Sequence, residues 1–283
     1  MSKTCKVVRR KKHPLLVGIL RIPHSAKTPH GESHIMKAYV DGFERLGVTV
    51  LDVPYDTPHP ELYMEILHGL VLPGAETEYL LTCKPFMATV QRFLELSLRP
   101  GTYFPIWGVC AGFEILLALV GRFRTFERIP DQQRRRLTWT EEGRQSRLYK
   151  ALGVAEAERF ERSARATQNH DFGISIQRFL GNGRLRRFYR LLATATNSEG
   201  IEYVAAIEAR KWPIYGVQWH PERQEHGKAF ARFFVSEMGK CPRRSLAFSV
   251  PSLGERMKTY KCVQYPEHRG RECYFFSDQV HNK

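Results

Sequence analysis

Short apolar runs alternate with helix-like stretches along the first half of this chain. Residues 15–20, 48–53 and 69–72 are brief and rich in branched side chains, and each is closed by a Pro or a break in hydropathy, the pattern of buried strands. Between them the apolar positions fall at helical spacing over 34–46, 61–68 and 85–98, and Gly47 stands where a helix C-cap belongs. Residues 103–109 form a further strand-like run that passes directly into a helical run over 114–120. Strand and helix in alternation predict parallel βαβ units, hence an α/β fold with a doubly wound, mostly parallel sheet flanked by helices. In such sheets ligand sites lie beyond the carboxyl ends of the strands. The later pattern is weaker. Residues 122–165 are polar and arginine-rich, ambiguous between helix and loop. Residues 201–210 and 214–220 read as a hairpin turning at Lys211-Trp212-Pro213, 225–238 as a closing helix, and 241–283 as a weakly patterned segment expected to wrap the surface.

The join between 103–109 and 114–120 reads Trp107-Gly108-Val109-Cys110-Ala111-Gly112-Phe113-Glu114. A Gly-x-Cys-x-Gly turn from strand to helix has the layout of a nucleophile elbow, with a thiol in place of the usual hydroxyl. The turn needs glycines because flanking side chains would collide, and it puts Cys110 at a helix N-terminus, which predicts a favoured thiolate. The alternative is a buried cysteine in a glycine-rich turn. A second run, Tyr215-Gly216-Val217-Gln218-Trp219-His220-Pro221-Glu222, lies 110 residues farther on and ends in His-Pro-Glu. A thiol nucleophile needs a base, and the base needs an orienting acceptor on its other ring nitrogen. Cys110, His220 and Glu222 supply those three roles in order.

Together these two segments resemble the class I glutamine amidotransferase superfamily, with its Cys-His-Glu triad, and within it most resemble the gamma-glutamyl hydrolases. The likeness extends to Ala38-Tyr39-Val40, to Val71-Leu72-Pro73-Gly74, to Asn169-His170-Asp171-Phe172-Gly173 and to Cys273-Tyr274-Phe275-Phe276. It implies a flavodoxin-like three-layer sandwich and hydrolysis of γ-glutamyl amides, of folate poly-γ-glutamates above all, through a thioester. It also implies Cys110, His220 and Glu222 as catalytic residues, the Gly74 and Ala111 N–H groups as the oxyanion hole, and His170, Tyr39 and Glu114 as substrate-binding residues. Glu114 has a second reading, ordering the elbow. No metal or organic cofactor is required. Two alternatives stay open: a glutaminase subunit of an amidotransferase, against which Gly-Phe-Glu after the cysteine argues, and a non-catalytic homologue acting as a binding protein. The sequence departs from the family at Pro73-Gly74-Ala75, where a second glycine is usual, and by its short stretch between Glu222 and the closing helix.

Composition narrows the picture. The 283 residues, 42% hydrophobic, suffice for one large core, and the division expected is a basic tail over 1–13 followed by a single catalytic domain over 14–283. No apolar run is long enough to span a bilayer, so no membrane partner is expected. No signal-peptide pattern and no Asn-x-Ser/Thr sequon occur; the resemblance implies a lysosomal, vacuolar or extracellular protein, and these absences point instead toward the cytoplasm. The six cysteines have no zinc-site spacing, and Cys262 and Cys273 are candidates for a bridge in an oxidising compartment. The isolated histidines His24, His30, His34, His59, His68 and His226 read as surface residues. Lys and Arg exceed Asp and Glu by 44 to 29, a net charge of +15, and sixteen arginines lie between Arg122 and Arg190. Such a field suits an anionic small molecule or nucleic acid, and no nucleic-acid module accompanies it. The expected partner is therefore a γ-glutamyl small molecule, with a homodimer left open.

Overall fold

A computed structural model describes residues 15–28, 31–242, 250–261 and 271–277. The basic tail over 1–13, His30 and Cys262 lie outside the described residues. The main sheet has eight strands. In spatial order they are Thr49–Val53, Leu16–Leu20, Gly69–Leu72, Ile106–Val109, Ile214–Val217, Glu202–Ala209, Tyr189–Thr196 and Thr138–Trp139. The first five are parallel to their neighbours, and the last three are added antiparallel. The hairpin expected around Lys211-Trp212-Pro213 is present, pairing Ala206 with Val217.

Alternation along the central strands builds three layers. Val17, Ile19, Val71, Trp107 and Val109 belong to one buried cluster, while Leu16, Leu20, Leu70, Leu72 and Ile106 belong to another. Successive strand side chains point to opposite faces, so a sheet with two apolar faces must be covered on both. The helices Lys37–Glu44 and Lys228–Met238 contribute to the first cluster, and Lys84–Ser97 and Ala111–Gly121 to the second. Among the described residues no helix is long and apolar enough to cross a membrane.

Several expectations are corrected. The helix expected over 34–46 spans only Lys37–Glu44, because Gly31–Met36 is a strand. That strand pairs with Glu272–Phe276, four of whose residues are buried, so this part of the 241–283 segment enters a four-stranded sheet and does not merely wrap the surface. The 103–109 run is strand only from Ile106. The ambiguous 122–165 stretch holds short strands at Glu127–Asp131, Arg134–Arg135 and Thr138–Trp139 and short helices at Glu141–Arg144, Arg147–Leu152 and Val154–Arg162. His24, His34 and His68 are buried, not on the surface: His24 Nε2 meets His34 Nδ1 at 2.7 Å, and His68 Nδ1 accepts the Leu16 N–H at 3.1 Å.

At the elbow the glycine requirement is steric. A Cβ on Gly112 would stand 2.1 Å from the Leu72 carbonyl oxygen, which is backbone and has no room to retreat. Gly42, inside the Lys37–Glu44 helix, meets nothing within 4 Å. Gly112→Ala should therefore destabilise the fold by about 3 kcal/mol. Gly42→Ala should be neutral or stabilise it by roughly 0.5–1 kcal/mol through helix propensity. Urea midpoints of the two variants check this; equal midpoints would refute the steric account.

Candidate active site

Three adjacent parallel strands end at one edge of the sheet. Gly69–Leu72 runs beside Ile106–Val109, with Leu72 opposite Gly108, and Ile106–Val109 runs beside Ile214–Val217, with Val109 opposite Val217. Gly74, Cys110 and His220 each follow their strand within three residues, so register alone brings them together. Two backbone bonds lock the junction: the Cys110 N–H donates to the Val217 carbonyl at 2.9 Å, and the Gly112 N–H to the Pro73 carbonyl at 3.2 Å. A Cβ on Gly74 would lie 2.7 Å from His220 Cε1 and 3.1 Å from Cys110 Cβ, so only glycine fits between base and thiol.

Cys110 holds φ 49° and ψ −111°, one of two non-glycine residues with positive φ among the described residues. Such a conformation costs about 1–3 kcal/mol and persists where surrounding structure fixes it. The helix Ala111–Gly121 starts immediately, with the Glu114 N–H donating to the Cys110 carbonyl at 2.9 Å. The thiolate expected from this helix N-terminus is not the favoured form. Burial pushes the Cys110 thiol well up, and the Glu114 and Glu222 carboxyls add to that; Arg223 and the Ala111 N–H act in the opposite direction without prevailing. The thiol donates a long contact of 3.8 Å to the Asn169 carbonyl, as a neutral thiol can. Its proton must therefore be taken by a base when it reacts.

His220, the residue expected as that base, lines the same cleft as Cys110. Its Nδ1 lies 2.8 Å from Glu222 Oε1, and Nε2 is buried with no hydrogen-bond partner among the described residues. A carboxylate can only accept, so Nδ1 carries the hydrogen and Nε2 keeps its lone pair. Burial lowers the His220 pKa despite the neighbouring carboxylate, so the ring is neutral near pH 7. Burial also works against the charged form of Glu222, yet His220 and then Arg223 hold it below the usual carboxylate range.

His170 lines the same cleft as Cys110 and His220, together with Asn169, Gln132 and Arg223. Its Nδ1 bonds the Phe172 carbonyl at 2.9 Å and must be the donor there. Burial lowers its pKa to about 4, so near neutrality Nε2 is an acceptor. Tyr39 is buried and takes the Gly74 N–H on its hydroxyl oxygen at 2.9 Å. This fixes the Gly74 loop and occupies the N–H expected to serve the oxyanion hole. The Ala111 N–H is directed at the sulfur.

Glu114 is fully buried and absent from the cleft lining. It accepts from Thr77 Oγ1 and, at 2.7 Å, from Gln218 Nε2, tying the elbow helix to the segments after two neighbouring strands. The substrate-binding reading of Glu114 thus yields to the second one, ordering the elbow. Sequence reasoning missed Arg223, a buried cation in the cleft wall, and Gln218 and Thr77. The adjacency of Arg223 to Glu222 was the only signal in the sequence, and burial cannot be read from it.

The cleft holds about 110 Å³. That is well below the roughly 300–1,000 Å³ that encloses a drug-sized ligand. A much wider groove shares Thr77 and Phe172 with it as common walls. Lys84, Arg122, Arg124, Arg184, Arg187 and Lys211 line that groove, against only Glu78 and Glu95. None of the six forms an ion pair among the described residues, whereas arginines such as Arg135, Arg147 and Arg190 face carboxylates.

Comparison with known proteins follows this geometry. The family model of the class-I glutamine amidotransferases matches residues 31–237. A gamma-glutamyl hydrolase B of Dictyostelium discoideum is 27% identical over 222 residues, 75% of this chain and 63% of that one. The gamma-glutamyl hydrolase of Mus musculus is 29% identical over 200 residues, 68% of this chain and 62% of that one. The chain thus spans less than two thirds of the length of either relative. Among solved structures, a candidate GMP synthase component of Thermoplasma acidophilum has a TM-score of 0.56 at 19% identity, covering 80% of this chain and 95% of that one. At that identity the likeness shows the fold.

Burial raises the Glu114 pKa from 4.5 to about 8, so the folded state holds its proton more tightly than the unfolded state does. The stability this contributes is full below the ordinary carboxyl pKa and is lost as pH rises through about 8. Glu114→Gln keeps the shape and cannot ionise. Between pH 6 and pH 9 the wild type should lose more melting temperature than Glu114→Gln; parallel pH curves would show that Glu114 titrates as it does in water.

Proposed function

Since this chain belongs to the class-I glutamine amidotransferase family, we propose that it is a cysteine-dependent hydrolase of γ-glutamyl amide bonds, with folate poly-γ-glutamates as the preferred substrates. The observation that carries the proposal is the buried Cys110 thiol on its strained turn, sharing one cleft with the unpartnered Nε2 of a neutral His220 whose Nδ1 is held by Glu222. The names of the relatives supply the acyl group, γ-glutamyl.

In the proposed reaction His220 Nε2 takes the Cys110 proton as the sulfur attacks the γ-carbonyl carbon. The carbonyl electron pair moves to oxygen, where the Ala111 N–H is the first donor. Gly74 adds a second donor if the bound oxyanion displaces Tyr39 from its N–H. Collapse breaks the C–N bond, and His220 returns its proton to the leaving amine. Water then attacks the thioester with His220 as base, and Cys110 leaves and is reprotonated. Glu222 orients the ring and stabilises its charged form. The small cleft favours a reading in which only the γ-glutamyl acyl group enters it. The remaining chain, with one carboxylate per residue, would lie along the basic groove beyond Thr77 and Phe172. A glutaminase reading is favoured by the family match itself and differs only in the leaving group, which would be ammonia.

Cys110→Ala should abolish hydrolysis of pteroyl-pentaglutamate, read as product lengths by mass, while circular dichroism is unchanged. Glu222→Gln should lower kcat less than His220→Asn does, because an orienting group contributes less than the base it orients. Hydrolysis surviving in Cys110→Ala would exclude the mechanism. Ammonia released from glutamine, with pentaglutamate left intact, would favour the glutaminase. Added salt should lower kcat/KM steeply for the pentaglutamate and much less for a diglutamate, since screening acts over about 8 Å at physiological ionic strength. An identical flat response would remove the groove from the reading.

A further inference from the structure

The wide groove beside the cleft encloses about 1730 Å³. Its six cations stand against two carboxylates, and one of these, Glu95, already faces Arg92 at 3.9 Å. Like charges gathered with so little neutralisation favour a ligand that carries several negative charges. Charge is only half of the lining. Phe123, Phe126, Phe172, Phe188 and Trp212 also line the groove, and each is only partly buried. Phe188 and Trp212 stack with centroids 5.2 Å apart, and Phe123 and Phe126 meet edge to face at 5.1 Å. Cation and ring are neighbours in the chain each time. Arg122-Phe123-Arg124 follows the helix Ala111–Gly121, Arg187-Phe188 closes the helix Gly183–Phe188, and Lys211-Trp212 lies in the hairpin turn. Three separate segments thus bring a charge and an aromatic face into one groove.

Backbone conformation adds an independent sign. Arg122 is the second non-glycine residue with positive φ, at φ 55° and ψ 50°, in the left-handed cap of the elbow helix. Glycine is unstrained in such a cap and a side chain is disfavoured, so the arginine stands there at a cost to the fold. A folate polyglutamate would answer the charge of the groove, but it has a single aromatic head for two ring pairs. A nucleic-acid strand repeats both features, a phosphate and a flat base at every unit. In a duplex the base faces are stacked on one another, so only a single strand can offer them to aromatic side chains.

We propose that this groove binds a single-stranded nucleic acid, with phosphates on its lysines and arginines and bases on Trp212 and the phenylalanines. The assignment is independent of the γ-glutamyl reading. Because the groove shares Thr77 and Phe172 with the Cys110 cleft, a bound strand competes with any anionic substrate that extends into it.

The test is fluorescence anisotropy of the full chain with a fluorescein-labelled oligo(U) of about 20 nucleotides, longer than the stretch one such groove covers. For about four neutralised phosphates, log K should fall against log salt with a slope of about −3. An unlabelled duplex of equal length, and poly-γ-glutamate of matched charge, should each displace the strand only at about tenfold higher concentration. Trp212→Ala should weaken binding about 5- to 100-fold with the slope unchanged, because stacking is not screened, and Trp212→Phe should restore most of the loss. Arg122→Gly should weaken binding and lower the slope by about 0.7. Its melting temperature should be unchanged or higher, because the substitution removes a charge and relieves the cap together. Equal affinity for the duplex or for poly-γ-glutamate would overturn the proposal and leave a groove that reads charge alone. Wild-type affinity in Trp212→Ala would do the same. If Trp212→Ala fails to fold, Phe126→Leu, which keeps an apolar side chain and loses the ring, decides in its place. None of these outcomes bears on hydrolysis at Cys110, so failure here leaves the γ-glutamyl reading standing.

Discussion

The parallel pairing of Gly69–Leu72, Ile106–Val109 and Ile214–Val217 is the constraint on which the rest depends. Parallel strands in register end together, and the loops after them leave from one edge. Gly74, Cys110 and His220 meet because their strands are neighbours, although they are far apart in sequence. The sharp turn at Cys110 is tolerable only because its own N–H is held by Val217 and the following glycine's by Pro73. A loosening of this ladder would release the strain at Cys110 and separate thiol from base in one step.

Charge is the second theme of the site, and burial dominates it. The helix N-terminus at Cys110 would favour a thiolate in an open setting, but here desolvation and two nearby carboxyls prevail, and the thiol stays protonated. His220 is neutral for the same reason, with Glu222 charged beside it. The resting pair is thus thiol and imidazole. Glu114 is a different use of a buried carboxyl. Its two oxygens join Thr77 and Gln218, so it fastens the elbow helix at its first turn and leaves the cleft to other side chains.

The arginines divide into two populations. Arg147 and Arg190 share Glu208, and Arg135 faces Asp131, so these brace the antiparallel side of the sheet and its neighbouring helices. The six cations of the wide groove have no such partners among the described residues, and they lie next to the cleft.

The sequence by itself determined the βαβ order, the elbow and the His-Pro-Glu strand end, because each is a local pattern: apolar runs of strand length, glycines at fixed offsets, a residue order that one turn can satisfy. It also pointed to Cys110, His220 and Glu222, since the chemistry demands those types. It did not reveal that Glu272–Phe276 joins the sheet of Gly31–Met36, because pairing across the length of a chain leaves no local periodicity. Nor did it show that His24, His34 and His68 are buried, that Tyr39 occupies the Gly74 N–H, or that His170 and Cys110 rest neutral. Those properties depend on what packs around a group and excludes solvent from it. Arg223 is the sharpest case: in sequence it is one more arginine of a basic chain, and only the tertiary structure decides that its side chain is buried in the cleft wall, 3.4 Å from Glu222 Oε1.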